Sequence, residues 1–171
     1  AAGGVGLVAL AYAAWLSALV MATAGQVYKH KAARQTARYA ASSRGADAFS
    51  HGASRLLEGR RAHVTLNSLS GDWVAVSYAL QSEASWFEEI GKRAVWSDAR
   101  VEHTAAHAGV HTIAVDMDMQ TDPQWMQRIL IRLHDAVDAG VVHALPLMSY
   151  EMVAGAQQAF RLLQRGSNVG K

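Results

Sequence analysis

Three glycines near the start of the chain have the spacing of a turn that binds phosphate. Gly3, Gly4 and Gly6 precede an apolar run that suits a helix. Glycine lets backbone N–H groups approach a phosphate closely, and the dipole of the following helix favours negative charge. Residues 1–25 carry no charge, however, so a membrane-spanning helix with a basic flank after it is the alternative. The spacing alone leaves both interpretations open.

Charged side chains are unevenly distributed, although the chain carries a formal net charge of only +2 at pH 7. Residues 26–61 contain eight Lys or Arg against two Asp or Glu, and residues 62–122 contain three against nine. A local basic block on a nearly neutral chain favours one site for an anionic ligand over a nucleic-acid surface. A solvated helix face would give the same pattern. We therefore expect no nucleic-acid partner.

Three histidines, His103, His107 and His111, are spaced four residues apart, as metal ligands on one helix would be. Gly109 and Val110 should end a helix and begin a strand, which would separate the three imidazoles. The chain has no cysteine, so disulfides and thiolate metal sites are excluded, and a reducing compartment is compatible. We expect no metal site.

The elements that position these residues alternate between strands and helices in a chain of 171 residues that is 51% hydrophobic. Strands are predicted at residues 18–23, 63–66, 86–90, 110–115 and 141–145. Helices are predicted over most of 26–61, over 73–80, from Pro123 until Gly140, and over 151–164. The last two helices each have an apolar face that should be buried. The alternation predicts an α/β fold with a doubly wound parallel sheet.

Short sequence motifs in a fixed order carry a resemblance to a known family. They are GGVG at 3–6, ATAG at 22–25, SR at 43–44, LNSLSGD at 66–72, FEEIGK at 87–92, AVDMD at 114–118, PL at 146–147 and AFRLLQRGSNVGK at 159–171. The chain resembles the nucleotide-binding subdomain of the enoyl reductase domains of polyketide and fatty acid synthases, in the medium-chain dehydrogenase/reductase superfamily. This resemblance implies one NADPH-binding domain over residues 1–171, with a Rossmann-like sheet that lacks its first and last strands.

The resemblance also implies which residues bind the cofactor. The three early glycines would form the turn under the pyrophosphate of NADPH. Lys29 and Arg44 would hold the adenosine 2′-phosphate, in agreement with the basic block. Asn67, Ser68 and Leu69 would lie at the carboxyl end of a strand near the nicotinamide ribose, where open α/β sheets place their ligands.

Two further matching residues, Lys92 and Asp116, correspond to the lysine and aspartate that such reductases place beside the substrate. After a hydride reaches the β-carbon of an enoyl thioester, the resulting enolate must be stabilised and its α-carbon protonated. An ammonium group held near a carboxylate can do both. The resemblance therefore implies that Lys92 and Asp116 are catalytic.

The chain departs from the family pattern at several points. Gln26 stands where a serine or threonine is usual, and residues 84–86 replace two glycines and an arginine. The barrel-like domain that binds the enoyl thioester has no counterpart, so other polypeptides would supply it, together with the missing strands and a substrate on acyl carrier protein. The alternative is a non-catalytic reductase remnant that serves as a structural subunit of a larger complex. We expect a soluble protein of the cytoplasm or an organelle lumen, or else a membrane-associated one through residues 1–25.

Overall fold

The computed structural model describes residues 1–92 and 95–171 and shows an α/β fold in which every strand pairing is parallel. The strands are β1 (Met21–Ala24), β2 (Tyr39–Ser42), β3 (Ala62–Asn67), β4 (Gln81–Glu89) and β5 (Ala108–Thr112). The helices are α1 (Gly4–Trp15), α2 (Val27–Ala33), α3 (Ala46–Leu57), α4 (Asp72–Ala79), α5 (Asp98–Ala105), α6 (Val115–Thr121), α7 (Pro123–Asp138) and α8 (Ala156–Gln164). The predicted α/β class with a Rossmann-like parallel sheet is confirmed.

The chain divides into two compact units, one made of Ala1–Arg44 with Arg132–Lys171 and the other of Gly45–Ile131. Each unit has its own parallel sheet and its own hydrophobic core. The expectation of one cofactor-binding domain over residues 1–171 stays a prediction.

The first unit is built on the two-stranded sheet β1–β2, in which Met21 lies opposite Tyr39 and Ala24 opposite Ser42. Its core consists of small and aliphatic side chains, Leu10, Ala22, Ala33 and Ala37, with Leu7 and Val20 packed against them. Residues 1–25 form α1, β1 and their connections, which is the helix-and-strand interpretation of that stretch. No helix within the described residues is both long and apolar enough to cross a membrane.

The carboxyl end of the chain returns to the first glycines within this unit. Gly170 forms an isolated parallel bridge with Gly3, and its N–H donates to the carbonyl of Ala2 at 2.9 Å. On its other side, the N–H of Lys171 donates to the carbonyl of Pro146 at 2.9 Å. The last residues of the final motif therefore lie beside Gly3, just before the start of α1.

The second unit contains a three-stranded sheet in the order β3–β4–β5. Phe87, near the carboxyl end of β4, is almost completely buried, and its ring stacks on Tyr78 of α4 with centroids 4.2 Å apart. Val74 of α4 and Ala105 of α5 complete this core. Because α4 and α5 supply these side chains, they cover the face of the sheet that carries Phe87.

Several predicted boundaries were wrong for identifiable reasons. Residues 26–61 contain the strand β2, which Arg- and Ala-rich flanks concealed because neither residue type favours strands. Strand β4 begins at Gln81, five residues before the predicted start, and passes Ala84 with a φ of +54°, where its register against β3 shifts. This bulge interrupts the alternation from which a strand is recognised. Strand β5 ends at Thr112, and residues 141–145 form no strand.

The two carboxyl-terminal helices form, but α8 begins at Ala156, five residues later than predicted, and the apolar faces of both helices are not buried as predicted. Asp122 caps α7 by accepting a hydrogen bond from the N–H of Trp125 at 2.8 Å, and Gly140 follows the helix with a φ of +68°. These local signals were correct. Neither α7 nor α8 has a buried residue, however, and Phe160 is 71% exposed. Periodicity identifies an apolar face, but only a packed neighbour buries it.

Candidate cofactor and catalytic site

The three early glycines lie at the amino end of α1 and meet different surroundings. Gly3 precedes the helix in an extended conformation, and a Cβ added to it would have no heavy atom within 4 Å. A Cβ on Gly6 would overlap the backbone carbonyl of Ala1. Gly6 is therefore required for a close approach of two backbone segments, whereas Gly3 leaves open space beside a helix amino terminus that favours anions.

Lys29 and Arg44 follow the carboxyl ends of β1 and β2 and are electrostatically coupled. The Lys29 Nζ donates to the carbonyl of Gly166 at 2.5 Å, and the Arg44 Nε donates to the carbonyl of Gly25 at 2.9 Å. Partial burial, and then the positive charge of Arg44, lower the pKa of Lys29 from its ordinary value. An anion bound near both cations would offset this unfavourable interaction. The two side chains are therefore candidates for holding a phosphate group.

In the second unit, Asn67 is the last residue of β3 and organises the loop that follows. Its side chain is buried, and its Nδ2 donates to the carbonyl of Leu69 at 2.8 Å and to Glu89 Oε2 at 2.6 Å. The N–H of Leu69 donates in return to Asn67 Oδ1 at 3.2 Å. Ser68 lies exposed between them. The loop Asn67–Ser68–Leu69 is thus held by a reciprocal pair of hydrogen bonds at the carboxyl end of a strand.

Lys92 and Asp116 form an ion pair near the carboxyl ends of β4 and β5. The Lys92 Nζ lies 2.9 Å from both carboxylate oxygens of Asp116, which is in the first turn of α6. The hydrogen bond from Lys92 is the largest cause of a lowered pKa at Asp116, followed by a backbone hydrogen bond and the Lys92 charge. Both side chains are exposed, so the ammonium group remains accessible to another molecule.

Replacing Lys92 by methionine should raise the pKa of Asp116 toward its ordinary value, because methionine retains the stem but loses the donor and the charge. In the wild-type protein the lowered pKa means that this carboxylate contributes stability above its unfolded pKa, and that the contribution is lost as pH falls through the folded pKa. NMR titration of the Asp116 carboxyl carbon measures this pKa in both proteins. An identical titration curve in wild type and Lys92→Met would show that the ion pair does not persist in solution.

The three histidines spaced as possible metal ligands do not lie on one helix. His103 lies in α5 and His111 in β5, so the three histidines are split between elements as Gly109 and Val110 predict. No cluster of three or more potential metal-ligating side chains is found in residues 1–92 and 95–171. Sequence reasoning missed Glu89, although it lies inside the FEEIGK motif, because strand alternation does not show that a carboxylate is buried.

Each unit therefore contains one set of the predicted residues. In the first unit the charge of Arg44 acts on Lys29, and the three early glycines lie at the start of α1, with Gly3 extended and Gly4 and Gly6 already helical. In the second unit it places the Asn67 loop, Lys92 and Asp116 after three adjacent parallel strands. A Cβ on Gly91 would lie 3.9 Å from the carbonyl carbon of Ser68, so the segment before Lys92 lies against that loop.

Comparison with known proteins gives relatives along the whole chain. No protein-family model matches the sequence. The chain is 29% identical over 174 residues to a phenolphthiocerol/phthiocerol polyketide synthase of Mycobacterium tuberculosis, in a match that covers 100% of this chain and 8% of that protein. The chain therefore corresponds to a small part of a much larger relative.

Solved structures give the same relationship. The CurK enoyl reductase is 26% identical with a TM-score of 0.88, over 99% of this chain and 50% of that one. The nucleotide-binding subdomain of the enoylreductase domain of PpsC from Mycobacterium tuberculosis is 25% identical with a TM-score of 0.69, over 82% and 80% of the two chains. A mycobacterial protein complexed with NADPH, 20% identical with a TM-score of 0.81 over 99% of this chain and 52% of that one, shares the fold. The chain is thus a homologue of polyketide synthase enoyl reductase domains and corresponds to their nucleotide-binding subdomain.

Proposed function

We propose that this chain is the NADPH-binding half of an enoyl-thioester reductase, with Lys92 and Asp116 beside the substrate. The observation that carries the proposal is the convergence of the Asn67 loop, Lys92 and Asp116 after the neighbouring strands β3, β4 and β5. Ligands of open parallel α/β sheets bind outside the carboxyl ends of the strands. The residues named by the family resemblance within this unit stand at that edge.

The adenosine end of the cofactor is assigned to the first unit. The negative charge of a 2′-phosphate would interact favourably with both Lys29 and Arg44 and would offset the repulsion between them. Gly3 leaves space at the amino end of α1 for the pyrophosphate. The nicotinamide end is assigned to the Asn67 loop, whose hydrogen bonds fix its backbone before a ligand arrives. When bound, NADPH supplies a hydride to the β-carbon of an enoyl thioester.

We assign to Lys92 and Asp116 the stabilisation of the negative charge that hydride addition produces and the supply of the proton that it requires. The Lys92 ammonium stabilises negative charge on the thioester oxygen, and one of its Nζ protons passes to the α-carbon. The resulting neutral amine regains a proton from solvent. Asp116, with both oxygens 2.9 Å from the Nζ, orients the ammonium.

The substrate domain and the acyl carrier protein are assigned to other parts of a larger assembly. The curated relative is more than ten times the length of its matched segment, and CurK enoyl reductase about twice. The exposed apolar side chains of α7 and α8, among them Leu130 and Phe160, are compatible with a covering polypeptide. A non-catalytic structural subunit remains the alternative function, and the absence of NADPH binding would favour it.

Titration with NADPH, followed by the enhancement and blue shift of nicotinamide fluorescence, tests the cofactor assignment. Saturable binding with a dissociation constant of about 1–100 µM, within the range usual for cofactors and substrates, is the expected result. A flat titration up to millimolar nucleotide, with a protein that remains folded by circular dichroism, would remove the proposal. The same titration with NADH provides the reference for the phosphate preference.

A further inference from the structure

Glu89 is a buried carboxylate that the proposed chemistry does not use. It is the last residue of β4 and is only 5% exposed. Its Oε2 accepts a hydrogen bond from Asn67 Nδ2 at 2.6 Å, and its Oε1 accepts one from the N–H of Gly91, also at 2.6 Å. Burial of a carboxylate is costly unless such donors compensate for lost water. The two short bonds explain how this side chain is accommodated.

The two hydrogen bonds connect Glu89 to the two segments that contain candidate site residues of this unit. Through Asn67, the carboxylate holds the amide whose other hydrogen bonds close the loop at Leu69. Through Gly91, it holds the backbone one residue before Lys92. Backbone pairing supports the same connection, because the N–H of Ile90 donates to the carbonyl of Asn67 at 2.9 Å.

The neighbouring Glu88 shows that these contacts belong to one face of the strand. Glu89 lies opposite Asn67 in β3 and Thr112 in β5. Burial of Tyr78, and to a smaller extent the charge of Glu89, raise the pKa of the Tyr78 hydroxyl to about 12. Successive side chains of a strand point to opposite faces. Glu88 instead pairs with His111, whose Nδ1 lies 2.8 Å from Glu88 Oε2. Glu88 is therefore a matched control with the same charge.

We propose that Glu89 is a positioning residue that holds the Asn67 loop and the Gly91–Lys92 segment in one arrangement. The inference rests on the proposed function for its effect on NADPH, but not for its effect on the ion pair. With the carboxylate in place, both segments are anchored to the buried end of β4. Without it, the loop and Lys92 lose a common support, and the Lys92–Asp116 pair loosens.

The first test requires no ligand. Glu89→Gln keeps the size of the side chain but turns an NH2 group toward one of the two donors, so only one hydrogen bond can remain. NMR titration of the Asp116 carboxyl should then give a pKa shifted toward its ordinary value, whereas Glu88→Gln should leave it unchanged. An unchanged Asp116 titration in folded Glu89→Gln protein would overturn the inference.

The second test separates the two ends of the cofactor. Glu89→Gln should weaken NADPH binding about tenfold, the effect of roughly one hydrogen bond to a charged group, because the nicotinamide end meets the displaced loop. Binding of 2′,5′-ADP, which lacks that end, should stay within about twofold of wild type. Equal weakening of both ligands would indicate a general structural defect and would contradict the positioning role.

Gly91→Ala keeps the inference falsifiable if Glu89→Gln does not fold. The added Cβ would lie 2.6 Å from Glu89 Oε1, so it must displace the same carboxylate while the charge is retained. It should shift the Asp116 pKa in the same direction, and a wild-type titration would overturn the proposal. If the wild-type chain binds no NADPH, the proposed function fails, while the Asp116 titrations still decide the role of Glu89.

Discussion

Replacing Lys29 or Arg44 by alanine should weaken NADPH binding by about 10- to 100-fold and change NADH binding by less than about threefold. Each substitution removes one charge-assisted interaction with a phosphate, which corresponds to roughly 1.5–3 kcal/mol. NADH lacks the 2′-phosphate, so it loses only the weak long-range attraction. Isothermal titration calorimetry with both nucleotides, at a fixed low ionic strength, measures the change in preference.

The pH dependence of NADPH affinity provides a second test of this prediction. Phosphate binding requires the protonated ammonium of Lys29, and burial followed by the Arg44 charge lowers the pKa of that group. NADPH affinity should therefore fall as pH rises through the lowered pKa, whereas NADH affinity should not. In Arg44→Ala the pKa of Lys29 moves back up, so the decline should begin at a higher pH.

Lys31→Ala supplies the matched control for the 2′-phosphate assignment. Lys31 is exposed on the same helix, α2, and its replacement removes the same charge from the chain. The substitution should change NADPH affinity by less than about threefold. Equal losses for Lys29→Ala and Lys31→Ala, or equal losses for NADPH and NADH, would show that the basic block attracts anions generally and does not recognise the 2′-phosphate.

Replacing Gly170 by alanine should destabilise the protein by about 3 kcal/mol, more than its backbone conformation alone would cause. Its φ of +73° disfavours any residue with a Cβ by roughly 1 kcal/mol. In addition, the new Cβ would overlap the carbonyl oxygen of Pro146, which is backbone and already accepts the N–H of Lys171. The segment must therefore shift, and its bridge to Gly3 should weaken.

Gly166→Ala measures the conformational part of this loss by itself, so the difference between the two variants gives the steric part. Gly166 also has a positive φ, of +58°, but a Cβ there would have no heavy atom within 4 Å. The substitution should cost only about 1 kcal/mol, from conformational preference alone. Urea unfolding followed by circular dichroism measures both variants, with separate fits if the two compact units unfold separately. Similar free energies of unfolding for both variants would contradict the close approach of Gly170 to Pro146.

The segment that contains Gly170 also contacts residues that the proposed function assigns to the adenosine end of NADPH. Gly170 pairs with Gly3, and the carbonyl of Gly166 accepts a hydrogen bond from the Lys29 ammonium. The final motif therefore contacts both a glycine assigned to the pyrophosphate and the lysine assigned to the 2′-phosphate. Conformational preference along the chain predicted neither contact, because residues 3 and 170 are far apart in sequence.

The sequence by itself determined the fold class and the features that depend on neighbouring residues. Alternating strands and helices predicted the parallel α/β sheet, and the cap at Asp122 and the glycine at 140 marked the ends of α7. The motifs LNSLSGD and FEEIGK predicted the relationship that comparison with known proteins shows. Such signals survive because backbone geometry and capping act over only a few residues.

Only the tertiary structure decided which residues meet and which are left uncovered. It placed the Lys92 ammonium on Asp116, lowered the pKa of Lys29 through burial and Arg44, and buried Glu89 between Asn67 and Gly91. It also left the apolar faces of α7 and α8 exposed. Burial and electrostatic coupling depend on segments distant in sequence, so local periodicity cannot determine them.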